Sequence, residues 1–288
     1  MNGRRALLVR LAASLSCLPL ASPGQPLKQT RVGWLSTAPH PFIADFRQEL
    51  RELGHRERRE VVVEERYAVL TNASLPDLAA QLVALRVDVI VASGFAAGQA
   101  AKRATGSIPI VAVTRDLVEG GLAASLARPG GNATGVAIMS AELGAKWVEL
   151  LRETVPNLSS IAFLRDAADA PPWTLMDAAA RAVGVTPIHL EARRAEELPR
   201  AFEDSIRGGA QGIVVLASPF FASQKALLVA LAGRHRMPAM YEHSDFVEAG
   251  GLISYGPDLH ETFRRVADYV DRILRGWRTV VVRDGDSR

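Results

Sequence analysis

A single cysteine, Cys17, occurs in the 288 residues. The chain beyond it has no thiol, which excludes disulfides, thiolate metal sites and cysteine nucleophiles there. A membrane-spanning run is also missing from the N-terminal region, since the apolar stretch from Leu11 to Ala21 is too short to cross a bilayer. The glycine fingerprint of dinucleotide binding, the phosphate loop with its lysine and the glycine-flanked serine elbow are all absent. The six histidines (His40, His55, His189, His235, His243 and His260) form no i, i+4 pair and no metal-ligand spacing with carboxylates. They are expected mostly at the surface or in turns. No cofactor and no metal is expected.

Excess charge is scarce too. The formal net charge is +3, and Arg4, Arg5 and Arg10 within the first 24 residues account for all of it. Further along, Arg56, Arg58 and Arg59 are interleaved with Glu57 and Glu60, the pattern of a solvated turn rather than a phosphate-tracking patch. Nucleic acid is therefore not an expected partner. The basic start, the apolar run from Leu11 and the small residues around Ser22 and Gly24 read as a removable export signal over residues 1–24. Pro19, Pro23 and Pro26 argue against a buried helix there. Ser14, Leu15 and Ser16 before Cys17 match a lipoprotein signal poorly, so a lipid anchor is not expected. No stable membrane insertion is expected once the leader is removed.

What is present is enough apolar residue, 48%, to build a sizeable core, distributed in an α/β pattern. Apolar runs of four to six residues alternate with amphipathic stretches of ten to fifteen, as in βα units with a parallel sheet. Strands are expected at residues 32–35, 61–67, 89–92, 110–113 and 136–139, with helices at 42–53, 75–85, 96–104 and 117–127. A helix at 142–154 leads to Pro156 and the pattern restarts. The second set has strands at 161–164, 186–190, 212–216 and 239–241, and helices at 173–183, 196–207 and 224–234. The division expected is a first lobe over 31–139 with a return helix at 256–276, a second lobe over 140–255, and an atypical tail at 277–288.

The halves echo each other. Asp88-Val-Ile-Val-Ala-Ser-Gly-Phe matches Gly212-Ile-Val-Val-Leu-Ala-Ser-Pro-Phe, and each is followed by a helix and a proline-led strand starting at Pro109 or Pro238. In such units the amides opening a helix after a parallel strand are unpaired and sit at the positive end of its dipole, a ready place for a carboxylate. Ser93 and Gly94 suit that turn, and the neighbouring strand ends carry Ser36, Thr37, Thr114, Arg115 and Asp116. Taken singly each of these is as readily a helix cap. Asp166 with Asp169, or Glu242 with Asp245, are acid pairs that fit a hydrolase, a helix cap or an ammonium site.

Five blocks carry a family resemblance: Phe46-Arg-Gln-Glu-Leu-Arg-Glu-Leu-Gly, Asp88-Val-Ile-Val-Ala-Ser-Gly, Ile108-Pro-Ile-Val, Ala124-Ser-Leu-Ala-Arg-Pro-Gly-Gly-Asn-Ala-Thr-Gly, and Phe246-Val-Glu-Ala-Gly-Gly-Leu-Ile-Ser-Tyr-Gly-Pro-Asp. With them, residues 31 to about 276 resemble the ABC transporter substrate-binding proteins of the type that includes tryptophan and phenylalanine binders. The resemblance implies two Rossmann-like lobes of the type I periplasmic-binding architecture, closing by a hinge near Met139 and Gly256 on a small molecule, an amino acid or small carboxylate. It also implies delivery to the membrane permease of an ABC importer, in the periplasm, with no catalysis. Carried over, the ligand contacts of the first lobe fall on Ser36, Ser93, Gly94, Phe95 and the Thr114–Asp116 turn. Those of the second fall near Asp166, Ser218 and the segment from Tyr241 through Glu242 to Asp245. Asp116-Leu117 and Asp166-Ala167 depart from the family's Asp-Pro and Asn-Pro, and an acid at Asp166 favours an ammonium-bearing ligand. Relatives continue beyond the last helix into a further crossing, strand and helix, so a second lobe truncated at its C-terminus, short of one strand and one helix, is expected.

Two other functional classes fit the same pattern. The sensing domain of a transcription regulator shares the fold but carries a helix-turn-helix before residue 31, where this chain has its leader. An α/β enzyme acting on a small carboxylate needs a partnered titratable group in the cleft, for which Asp116 and Asp166 are the candidates.

Overall fold

The computed structural model describes residues 29–276 apart from 57–59, 72, 119, 126–129, 139–140 and 170–172. The expected export signal with Cys17 and the tail at 277–288 lie outside the described residues. The first lobe runs β1 (Thr30–Ser36), α1 (Ile43–Glu52), β2 (Val61–Tyr67), α2 (Ala68–Thr71), α3 (Leu75–Ala84), β3 (Val89–Ser93), α4 (Phe95–Ala104), β4 (Ile110–Thr114) and β5 (Ala133–Ala137). The second runs α5 (Ala141–Thr154), β6 (Ser160–Asp166), α6 (Trp173–Ala182), β7 (Thr186–Ala192), α7 (Leu198–Arg207), β8 (Ile213–Val215), α8 (Pro219–Ser223), α9 (Lys225–His235), β9 (Ala239–Tyr241), α10 (Ser244–Glu248) and β10 (Ile253–Ser254). Helix α11 (Leu259–Leu274) then returns to pack on α1 in the first lobe.

Each lobe holds a five-stranded sheet, in the orders β2-β1-β3-β4-β5 and β7-β6-β8-β9-β10, with every strand pair parallel. The two orders are the same winding, and the echoed segments occupy the same place in each: β3 with β8 and β4 with β9. Strand order reverses between β1 and β3, and again between β6 and β8, so each sheet has a crevice at the carboxyl ends of its central strands.

Burial on both faces explains why β3 and β4 read as unbroken apolar runs, since helices cover both sides of a parallel sheet. On one face of the first sheet, Phe46 and Leu50 of α1 meet Phe263, Val266 and Val270 of α11 over Val32 and Trp34. On the other face Leu78 and Leu82 of α3 join Ala97 and Ala101 of α4. The return helix is thus part of the first lobe's core, and each of its buried large side chains contributes about 1.5–3 kcal/mol. Its start is capped by Asp258, whose carboxylate accepts from the Glu261 N–H at 3.1 Å.

Some local expectations are corrected. The described residues of the expected helix at 117–127, which are 117–118 and 120–125, form turns and bends rather than a helix. Gly120 and Gly121 interrupt the stretch, with Gly121 at φ +64°, and the apolar spacing there reflects Leu117 and Leu122 being buried from a loop. Strand β5 starts three residues earlier than expected, and α7 is preceded by a 3₁₀ turn at Ala195–Glu197. Among the described residues the chain passes between lobes twice, after β5 and after β10. The expected shortfall of the second lobe concerns the chain beyond residue 276, outside the described residues.

Candidate functional site

The carboxyl ends of the two sheets face each other, and the side chains carried there form a closed cleft. Apolar contact crosses it in both directions: Ala38, just past β1, packs into the core around Phe220 and Phe221, while Ala222 of α8 packs into the core of the first lobe. The small space at the centre amounts to about 40 Å³. That is room for water, so an amino-acid-sized molecule enters this particular space only if its walls move apart.

Arg115, following β4, is the polar pin of this closure. Its Nη2 donates to the carbonyls of Ala217, at 2.7 Å, and Asp169, at 3.2 Å, both in the second lobe. Its Nη1 lies 3.8 Å from the Glu242 carboxylate. Glu242 is itself held by the Ala217 N–H at 2.7 Å. Asp169 reaches the other way: its carboxylate accepts from the Ala96 N–H at the start of α4, at 2.8 Å. The amides where a ligand carboxylate was expected are therefore occupied by a carboxylate of the opposite lobe. Gly94 makes this approach possible. It sits at φ +100°, and a Cβ there would stand 3.1 Å from Asp169 Oδ2.

Three buried acids of the second lobe thus surround one cation from the first. Burial, then the charge of Asp169, pushes Asp166 up to about 6. Burial also raises Asp169 and Glu242, with Arg115 opposing the shift in both. At the rim, His260 of α11 bridges the lobes, 2.7 Å from Asp45 of α1 and 3.1 Å from Asp245, and Lys225 donates to Asp245 at 3.1 Å. Burial works against ionisation of Asp245, yet Lys225 and His260 outweigh it and hold the carboxyl below its ordinary range. Burial likewise disfavours charged His260, but Asp45 and Asp245 prevail and keep it above the usual imidazole value.

Six of the residues named from the sequence, Ser93, Gly94, Phe95, Thr114, Arg115 and Ser218, line the small space. Thr37 and Asp166, again with Phe95, line a second, larger groove of about 700 Å³ between residues of the two lobes. Ser36 is buried and donates to the Ala38 carbonyl at 3.0 Å, which shapes the turn after β1. Three candidates are not brought into the cleft. Asp116 accepts from the Val118 N–H at 2.6 Å in its own turn. Tyr241 stacks on Phe246, with centroids 4.5 Å apart, because strand alternation sends it into the lobe while Glu242 points out. Asp245 belongs to the rim.

The cleft also holds residues that sequence reasoning missed. His40 and His243 were expected at the surface, but both are more than nine-tenths buried and line the small space with Phe42 and Phe263. Pro39 and Pro41 around His40 signalled only a loop. His243 lies inside the segment already singled out, and Asp169 is the residue named with Asp166 as an acid pair, though not as a contact.

Residues 42–283 match the family model of the ABC transporter substrate-binding proteins. A tyrosine-binding protein of Clostridioides difficile (strain R20291) is 23% identical over 259 residues, covering 86% of this chain and 74% of that protein. A conserved domain protein from Vibrio cholerae superposes with a TM-score of 0.79 and 26% identity, covering 89% of each chain. The ABC domain in complex with L-Trp from Streptococcus pneumoniae superposes with a TM-score of 0.77 and 22% identity over 88% of each chain, which establishes likeness of fold. No helix among the described residues is long and apolar enough to cross a membrane. The duplicated parallel sheets, the closed cleft and the extent of the family match agree, and the chain belongs to the ABC transporter substrate-binding protein family.

Proposed function

We propose that this chain is the extracytoplasmic receptor of an ABC importer and that its ligand is an amino acid, captured by closure of the lobes and passed to a membrane permease. The observation that carries the ligand class is the charge of the cleft: Asp166, Asp169 and Glu242 outnumber Arg115 in a buried setting. A ligand ammonium supplies the missing cation and removes part of the cost of burying these acids. A ligand carboxylate takes the place of the Asp169 carboxylate at the α4 amides, with Arg115 beside it. The aromatic wall of Phe42, Phe95 and Phe263 suits an uncharged side chain. Ligand bridging the lobes shifts an open-closed equilibrium because it contacts both only when closed. The relative named as a tyrosine-binding protein and the neighbour in complex with L-Trp support an amino acid as the class.

The test is a thermal-shift and calorimetry screen of protein lacking residues 1–24 against the twenty amino acids, their decarboxylated amines and their deaminated acids. At about 100 times its dissociation constant, a true ligand adds about 2.7 kcal/mol of stability. Amino acids are expected to bind, amines and acids to bind more weakly, and Ser93→Trp to abolish binding by filling the space at the end of β3. Tight binding of deaminated acids without amino acids refutes the ammonium reading.

A further inference from the structure

Asp169 places its carboxylate on the opposite lobe. The residue is 3% exposed, and its side chain accepts from the Ala96 N–H at 2.8 Å, with the Phe95 N–H also favouring the ionised form. These amides open α4, a ten-residue helix, and carry its positive end. The main chain of the same residue is held by other partners. Its carbonyl accepts from Arg115 Nη2 at 3.2 Å, and its N–H donates to the Asp166 carbonyl at 3.1 Å. Rotation about the side-chain torsions of Asp169 therefore releases the α4 amides without breaking either backbone contact.

Leaving α4 is costly for this carboxylate. It loses charge-assisted hydrogen bonds while staying desolvated. Glu242 and Asp166 are close enough to repel it, and the nearby cation, Arg115, already stands 3.8 Å from Glu242. A displaced Asp169 is stable only where a new cation meets it. An α-amino acid brings both halves of such an exchange. Its carboxylate is an equivalent acceptor for the α4 amides, and its ammonium, one carbon away, arrives beside the acid just displaced. A deaminated acid brings the carboxylate alone and leaves Asp169 bare. A decarboxylated amine brings the cation alone and competes for an acid that α4 already holds.

We propose that Asp169 is a specificity-determining residue, a tethered carboxylate that occupies the α4 amides and exchanges them for a ligand ammonium, so that the cleft selects zwitterions over acids and amines of the same shape. The inference rests on the reading of the cleft as an amino-acid site and adds the residue that enforces the choice. The small space of about 40 Å³ agrees with it, since the anion position beside that space is filled by the protein's own side chain.

Calorimetry compares the amino acid bound most tightly among the twenty with its deaminated acid and its amine, on the wild type and on Asp169→Ala. Truncation frees the α4 amides and removes the acid that is otherwise left bare, so the deaminated acid is expected to bind the variant about tenfold more tightly than the wild type. The amine loses an acid and is expected to bind more weakly. Asp169→Asn, which keeps the volume and removes the charge, is expected to shift both compounds in the same directions. Occupancy of the amides is read without any amino acid: in ¹⁵N spectra, acetate is expected to move the Ala96 amide of Asp169→Ala and to leave that of the wild type in place. Equal weakening of all three compounds in both variants marks a merely structural residue and overturns the proposal while the receptor reading stands. An unchanged preference for the amino acid over its deaminated acid does the same, as does an Ala96 amide that acetate moves alike in wild type and variant. Binding of no amino acid by the wild type overturns the receptor reading and the proposal with it.

Discussion

Arg115→Met is the sharpest perturbation of the closed cleft. Methionine keeps the apolar stem while removing the guanidinium, so packing is largely conserved and the charge is lost. The charge is deeply buried: the Arg115 side chain is 9% exposed and that of Glu242, 3.8 Å away, is 2% exposed. Removing one partner of a buried pair costs about 3–5 kcal/mol, because the remaining charge is left uncompensated. Here the Ala217 and Asp169 carbonyls lose their donor as well. The pH dependence follows from the carboxyls. Glu242 and Asp169 already sit above their ordinary values through burial, with Arg115 as the opposing influence, and without it they rise further. A folded-state value raised above the unfolded one means that stability is complete below the unfolded value and declines as pH rises through the folded one. The loss in Arg115→Met is therefore expected to be about 3–5 kcal/mol at pH 8 and clearly smaller at pH 5, measured by urea unfolding at both. Adding Glu242→Gln to the variant should recover part of the loss at pH 8 and little at pH 5. A loss below about 1 kcal/mol at pH 8, or one equal at the two pH values, refutes the buried ionic pin.

Asp166→Asn is expected to stabilise the protein at pH 8 by about 1–3 kcal/mol, since the wild-type carboxyl, with its folded value near 6, is penalised when ionised. The gain should fade below pH 4, where folded and unfolded chains are both protonated, and a pH-independent effect in denaturation curves counts against it. In the wild type the same group should make binding of an amino acid weaker at pH 5 than at pH 7.5, and Asp166→Asn should flatten that difference in calorimetry. His260 bridges Asp45 and Asp245 and is held above its ordinary value, so its contribution is present below pH 6.5 and lost as pH rises through the folded value. His260→Gln should remove this part of the melting-temperature profile between pH 5 and 8.5, and a profile parallel to wild type argues against the bridge. Gly256→Ala places a Cβ 2.2 Å from the Glu242 carbonyl oxygen, so the second crossing must shift and with it the residue that holds Arg115. A loss of about 2–4 kcal/mol and weaker ligand binding are expected, and wild-type behaviour in both would contradict the close approach.

Much of the architecture is legible in the sequence because it depends on local patterns. Apolar runs mark β3 and β4 since a parallel sheet covered on both faces needs unbroken burial, and the echo of Asp88–Phe95 in Gly212–Phe220 announces two sheets with the same winding. Proximity of Ser93, Thr114 and Arg115 also follows, because the carboxyl ends of adjacent parallel strands lie side by side. Local pattern misled where burial came from a loop, as at Leu117 and Leu122, which face the core without a helix. The rest of the cleft was decided only by tertiary structure. Glu242 and Tyr241 are neighbours in sequence, and strand alternation alone sends one to Arg115 and the other onto Phe246. Asp169 occupies the start of α4 across a separation of 73 residues, and no local signal records which acid will meet which amides. His40 and His243 look like ordinary turn histidines in the chain. They become buried and uncharged because Trp34, Phe42 and Phe263 surround the first and Phe42 and Phe246 the second, and the cost of hiding their polar atoms is set by those neighbours in three dimensions.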